Sequence, residues 1–170
     1  IKISGPTYQK VKQIRYRPFD KRYTYYTGQS RGFICRPRLE TMHHMTVDKN
    51  VGLHLCRQIV SDSWQHILVT DQLTDDCYVS TRTRERGYTL PLYLYPDETT
   101  ATLFETATLS PWTPDPAHGN RVPNLSPAFV KAVEETLGLP FTPVQPSAVS
   151  GQPSARFGPE AVSYTHLRAH

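Results

Sequence analysis

KVKQIRYRPFDKRYTYY, Lys10 to Tyr26, sets the character of the chain. Lys10–Tyr16 reads as a strand, although Val11 and Ile14 fit strict alternation poorly; Pro18 breaks it, and Tyr23–Tyr26 supplies a second run of strand-favouring aromatics. Outward from there, Gly28 and Gly32 bracket a turn before Phe33 and Ile34, and Pro37 opposes a strand interior. Leu39–Met45 suits a short helix with Met42 and Met45 on one face. Val51–Ile59 and Trp64–Val69 are strand candidates separated by the turn cluster Ser61-Asp62-Ser63. Tyr78–Ser80 and Tyr88–Tyr95 follow. In the latter, Leu90, Leu92 and Leu94 alternate with Pro91, Tyr93 and Tyr95, as an edge strand would. From Pro96 to Pro123 the pattern dissolves into a long connection. The clearest helix comes next, with Ser126 as N-cap, Pro127 in the first position, Gly138 after the end and an apolar stripe of Phe129, Val130, Val133 and Leu137. The expected fold is α+β: a mixed or antiparallel sheet with a few helices and a disordered C-terminal tail after Phe141. Trp64, Leu90, Leu92, Leu94, Trp112 and Phe129 are assigned to its core.

Composition narrows the function. With 170 residues, 38% hydrophobic and 11% aromatic, the chain can bury a core. No stretch approaches the roughly 20 apolar residues of a membrane span, and Ile1–Lys12 lacks the apolar segment of a secretory signal. A soluble, cytoplasmic protein with no membrane partner is expected. Cys35, Cys56 and Cys77 have no paired spacing, which suits reduced thiols better than disulfides or a zinc ribbon. Residues 1–60 carry 12 Lys or Arg against three acids, whereas the remainder carries 7 basic and 12 acidic groups. A basic half fused to a mildly acidic one is the asymmetry of a face that meets a polyanion.

The YRPFDKRYTYY of Tyr16–Tyr26, then RPR at Arg36–Arg38 and MHHM at Met42–Met45, resembles the C-terminal specificity region of Type ISP restriction-modification enzymes. The order continues with Asn50-Val51-Gly52-Leu53, Arg57-Gln58, WQHILVT at Trp64–Thr70, PLYLYP at Pro91–Pro96 and RVPNLS at Arg121–Ser126. The resemblance covers residues 8 to about 141. It implies a bacterial parent chain with a nuclease, an ATP-driven translocase and an adenine-N6 methyltransferase, using S-adenosylmethionine, ATP and Mg. This region would recognise double-stranded DNA beside the methyltransferase domain. No Asn-Pro-Pro-Tyr motif, nucleotide-binding Gly-rich loop or nuclease triplet occurs here, so catalysis and cofactors are expected elsewhere in the parent. Residues 1–141 form the expected target-recognition fragment, and 142–161 a Pro/Ser/Gly-rich tail of doubtful origin. VSYTHLRAH, Val162–His170, matches one reading frame of a transposase-based sequencing adapter, which marks 162–170 as an artefact and the specificity region as truncated.

DNA readout calls for Arg at guanine edges, Gln or Asn at adenine, and Lys or Arg at phosphates. Arg36 and Arg38 flank Pro37, which fixes the backbone between two guanidiniums; the competing use is an ion pair with Asp20. Within Arg17–Asp20–Arg22 the acid is expected to hold a turn by pairing with either arginine. Tyr25, on the face opposite Tyr26, is expected at the groove, and Lys21 joins the set. Arg57 and Gln58 are expected in a strand, facing opposite ways, one of them toward DNA. His43 and His44 are phosphate or base candidates; adjacent helical side chains diverge by about 100°, which disfavours a shared metal. Two other functions compete: a scaffold docking the parent's methyltransferase and translocase domains, and a metal-dependent nuclease using His43, His44, His54 and His66.

Overall fold

The structure is a computed structural model that describes residues 7–30, 36–47, 50–60, 66–82, 84–96, 111–143 and 156–161. The chain divides into two compact units, Ile1–Pro91 and Leu92–His170. The α+β expectation holds: mixed and antiparallel sheets carry a few short helices.

The first unit begins with a hairpin. Strands β1 (Val11–Arg17) and β2 (Asp20–Tyr25) pair antiparallel, with an irregularity between Arg15 and Arg17. A short strand, β5 (Leu73–Thr74), runs parallel to β1, with Ile14 opposite Leu73. A second sheet has β3 (Gly52–Cys56) between β4 (Ile67–Thr70) and β6 (Gly87–Pro91), all antiparallel. Helix α1 (Leu39–Met42) passes into a 3-10 turn at His43–Met45. Its expected apolar face is only half realised, with Met45 buried and Met42 partly so.

Polar groups run through the interior of this unit. His54, opposite Thr89 across the β3–β6 pair, is 1% exposed, and its Nδ1 lies 3.1 Å from Thr74 Oγ1 and 3.0 Å from Thr89 Oγ1. The Glu85 carboxylate is equally buried; it accepts from Val60 N at 2.7 Å and Ser80 Oγ at 2.5 Å, with His66 Nε2 at 3.2 Å. Such groups are tolerated in a low-dielectric interior because hydrogen bonds replace the lost water.

That polar core corrects the expected phase of Tyr88–Tyr95. Thr89, Pro91 and Tyr93 are buried, whereas Leu90 is 49% exposed. The register turns Thr89 inward beside His54, so Leu90 faces out. The run also splits, with β6 in the first unit and β7 (Tyr93–Leu94) in the second. Tyr78–Ser80 is not a strand. Asp75 captures that segment in a turn, its carboxylate accepting from Cys77 N and its carbonyl from Tyr78 N, both at 3.0 Å. Trp64 and Cys35 lie outside the described residues.

In the second unit β7 pairs with β8 (Val122–Pro123). Helix α2 (Pro127–Leu137) has the expected ends: Ser126 at the N-cap, Pro127 leading, and Gly138 at φ 64° closing it with its N–H on Glu134 O. Its stripe packs through Val130, which is 2% exposed and is the one buried residue of the helix; Val133 is half-buried, and Phe129 and Leu137 are 37% and 50% exposed rather than core. Leu92 is buried, and Leu94 and Trp112 are half-buried. The expected loss of order after Phe141 is corrected for 156–161, while 144–155 and 162–170 lie outside the described residues. Phe157 is 7% exposed, bridges to Phe141 with ring centroids 5.4 Å apart, and donates its N–H to Pro140 O at 3.3 Å. Glu160 accepts the hydroxyl proton of the buried Tyr93. Aromatic burial holds 156–161 despite the prolines around it.

Candidate nucleic-acid interface

The Arg36–Arg38 segment is built by an unusual backbone. Arg36 and Arg38 both have positive φ, 59° and 50°, on either side of the buried Pro37. Left-handed non-glycine residues are uncommon, and they persist where neighbours over-determine them. Here Tyr26 donates its hydroxyl to Pro37 O at 2.9 Å, and Arg38 O caps α1 by accepting from Thr41 N and Met42 N. Burial, with a smaller contribution from Glu40, pushes the Tyr26 phenol up to about 12, so it remains a donor at neutral pH. The result is two exposed guanidiniums, neither of which pairs with a described carboxylate.

Both line a cavity of about 730 Å³ in the first unit. The register of the hairpin sets one wall: Ile14 stands opposite Arg22, and alternation carries Tyr16, Thr24 and Tyr26 to the same side. The Tyr16 ring bears two guanidiniums, with Arg22 Cζ 3.9 Å and Arg17 Cζ 4.1 Å from its centroid. His54, Asp75, Asp76 and Arg86 belong to the other side. Four arginines (Arg22, Arg36, Arg38, Arg86) thus face two aspartates in the lining. Asp75 is engaged by Arg17 at 2.9 Å and Asp76 by Arg86 at 3.3 Å, while Arg22 is engaged by Asp20 at 2.9 Å. With the acids neutralised, the excess charge of the cavity rests on Arg36 and Arg38.

The remaining expected residues scatter. Asp20 pairs with Arg22, one of its two anticipated partners, and leaves Arg36 and Arg38 alone. Lys21 is exposed and Tyr25 half-buried, on the other face of β2 from Arg22; Tyr25 Oη accepts from Thr7 N at 3.2 Å. Tyr26, assigned to the opposite face, takes the place expected for Tyr25 at the cavity. Arg57 and Gln58 lie in a bend after β3, not within a strand, and both are exposed. The Arg57 Cζ sits 5.4 Å from the Tyr88 ring centroid. His43 donates Nδ1–H to Leu39 O at 2.8 Å, and its ring centroid is 3.7 Å from that of His44, which is 9% exposed. The inward turn of His44 removes it from the surface. Arg22, Tyr16 and Arg86 were missed as lining; Arg22 was legible through its alternation with Tyr26, whereas Arg86 carried no local signal. Among the described residues no group of three or more His, Cys, Asp or Glu is placed to hold a metal ion.

A concave, arginine-rich surface with tyrosine walls on an α+β scaffold is the chemistry of a module that holds a polyanion. The family described as the Type ISP C-terminal specificity domain matches residues 4–164, and the chain belongs to it. It is therefore a specificity domain, a recognition part and not a catalytic one, and the family implies DNA as its partner within a restriction-modification system. No curated protein and no solved structure matches the chain. Among the described residues no helix is long and apolar enough to cross a membrane.

Proposed function

We propose that the cavity wall formed by β1, β2 and the Arg36–Arg38 segment lies along double-stranded DNA and reads its sequence for a parent restriction-modification enzyme. One observation carries this reading: two exposed arginines, one residue apart and without a carboxylate partner among the described residues, on a backbone locked by Pro37, Tyr26 and the start of α1. Positioned guanidiniums can each bridge phosphate oxygens or address O6 and N7 of a guanine in the major groove. Arg22 and Arg86 enter as charges already shared with Asp20 and Asp76, so they supplement the field more than they form new pairs. Arg57, Gln58 and Lys21 are exposed and serve as peripheral contacts; His43 is held by Leu39 O and shapes the segment behind them.

In the parent enzyme this domain sits beside an adenine-N6 methyltransferase domain and positions the duplex for it. S-adenosylmethionine, ATP and Mg serve domains other than this one, in a cytoplasmic enzyme. The test is selection from a random-sequence duplex pool by the intact chain. A recovered consensus, relaxed at one position or weakened throughout in Arg36→Ala and Arg38→Ala, supports the reading. A pool that emerges unenriched, from a chain that folds, overturns it and favours a docking scaffold.

A further inference from the structure

The β1–β2 hairpin presents an apolar tip. Arg17 and Asp20 stand opposite each other in the backbone register, so Pro18 and Phe19 alone make the turn. Proline fixes φ near −65°, and Phe19 follows at φ 68°. Proline and then a positive φ is the order of a type II turn, whose second place is filled at least cost by Gly or Asn. Here it carries a phenylalanine that is 102% exposed. The side chain thus costs the fold backbone strain while burying nothing in it. An exposed aromatic in a strained conformation gains its stabilisation outside the folded chain.

The charge around the tip indicates the partner. Val11–Tyr25 contains Lys12, Arg15, Arg17, Lys21 and Arg22 against a single acid, Asp20; Arg15 and Arg17 are engaged from outside the hairpin by Asp71 and Asp75, while Lys12 and Lys21 form no ion pair among the described residues. Lys21 is exposed, and Arg22 keeps 57% of its side chain exposed while bound to Asp20. A basic ribbon ending in Pro-Phe suits a nucleic-acid duplex, whose phosphates meet the cations while the ring enters between base pairs. Apolar wedges of this kind unstack one step and kink the helix, at a cost that added backbone contacts repay. A two-stranded ribbon is also narrow enough to enter a groove.

We propose that Phe19 is a wedge that inserts its ring into a base-pair step of bound duplex DNA. This rests on the DNA-recognition reading above but on a different residue and geometry. Phe19 acts in deforming the duplex, whereas Arg36 and Arg38 hold it. Removing the ring forfeits one base–aromatic stack, so Phe19→Ala should weaken duplex binding by about 5- to 150-fold.

The test measures duplex binding and thermal midpoint together for the intact chain, using duplex enriched by the wild-type chain as probe. Phe19→Gly is expected to raise the midpoint, because it relieves the positive φ, while weakening binding as Phe19→Ala does. Phe19→Trp should retain binding, and its indole emission should be quenched when duplex is added. A 2-aminopurine scan of the probe should brighten at one step with the wild-type chain and stay dark with Phe19→Ala. If wild-type, Phe19→Ala and Phe19→Gly bind equally and no step brightens, the wedge is overturned and the DNA-recognition reading stands. If the wild-type chain enriches no duplex, both fall together.

Discussion

Arg36 and Arg38 matter through backbone as much as charge. A lysine at either place keeps the charge but lacks the planar fork, so Arg38→Lys should retain most phosphate attraction and lose any base preference. Selection with that variant should recover duplex with a flattened consensus; an unchanged consensus would assign Arg38 to phosphate alone. Gly87 gives a stability counterpart on the facing wall. A Cβ there would lie 2.0 Å from His54 Nε2 and 3.0 Å from Asp76 O. His54 is 1% exposed and its Nδ1 is held by Thr74 and Thr89, so moving the ring aside has a cost and Gly87→Ala should lose about 1–3 kcal/mol in a urea melt. At this scale the sequence was partly legible. Arg36 and Arg38 stood out because Pro37 separates them. Tyr26 rather than Tyr25 lines the cavity because it lies one residue past β2, on the side opposite Tyr23 and Tyr25; alternation fixes which residues share a side but not which side is inward. His54 was singled out only as one histidine of the competing nuclease reading; nothing local marked it as buried, and its place opposite Thr89 is what turns it inward.

Strand β3 carries a pH dependence into the first unit. Burial lowers His54 from 6.5 to about 4, against a smaller opposing effect of Asp75. The groups around it are Thr74, Thr89 and the Tyr78 ring, 5.1 Å away edge-on. The unfolded chain takes up this proton near 6.5, and the folded chain resists until about 4. The contribution is therefore complete above 6.5 and is lost as pH falls toward 4, by up to roughly 3 kcal/mol. Urea midpoints of the wild-type chain should fall across that window, and His54→Asn should flatten this part of the decline. An identical slope in both would show that other groups control the acid limb. In the second unit, Phe157→Ala should cost about 3–5 kcal/mol, since the ring is buried against Phe141. Calorimetry of that variant measures it, and an unchanged midpoint would mean that 156–161 contribute nothing to the unit. Helix α2 was legible from Ser126-Pro127 and Gly138, signals carried by local chemistry. The return of Phe157 was not, because it depends on a partner sixteen residues earlier with prolines between.

Across the whole molecule, the basic first 60 residues fall within the unit that holds the cavity, but three of their arginines are held in ion pairs. Arg15 is engaged by Asp71 at 2.8 Å, Arg17 by Asp75 and Arg22 by Asp20. The sequence exposed the imbalance of charge; pairing in three dimensions decided which cations remain for a partner. Within the cavity lining, Arg36 and Arg38 are the arginines that no described carboxylate engages, and counterion release makes them countable. Each phosphate contact contributes about 0.9 to the slope of log affinity against log salt. The most direct measurement is therefore duplex affinity of the intact chain over a salt series, beside the Arg36→Ala/Arg38→Ala double variant. A steep slope that becomes shallower by about 1–2 in the variant is the predicted result. Two parallel slopes, or affinity indifferent to salt, would contradict the claim that this pair holds the duplex.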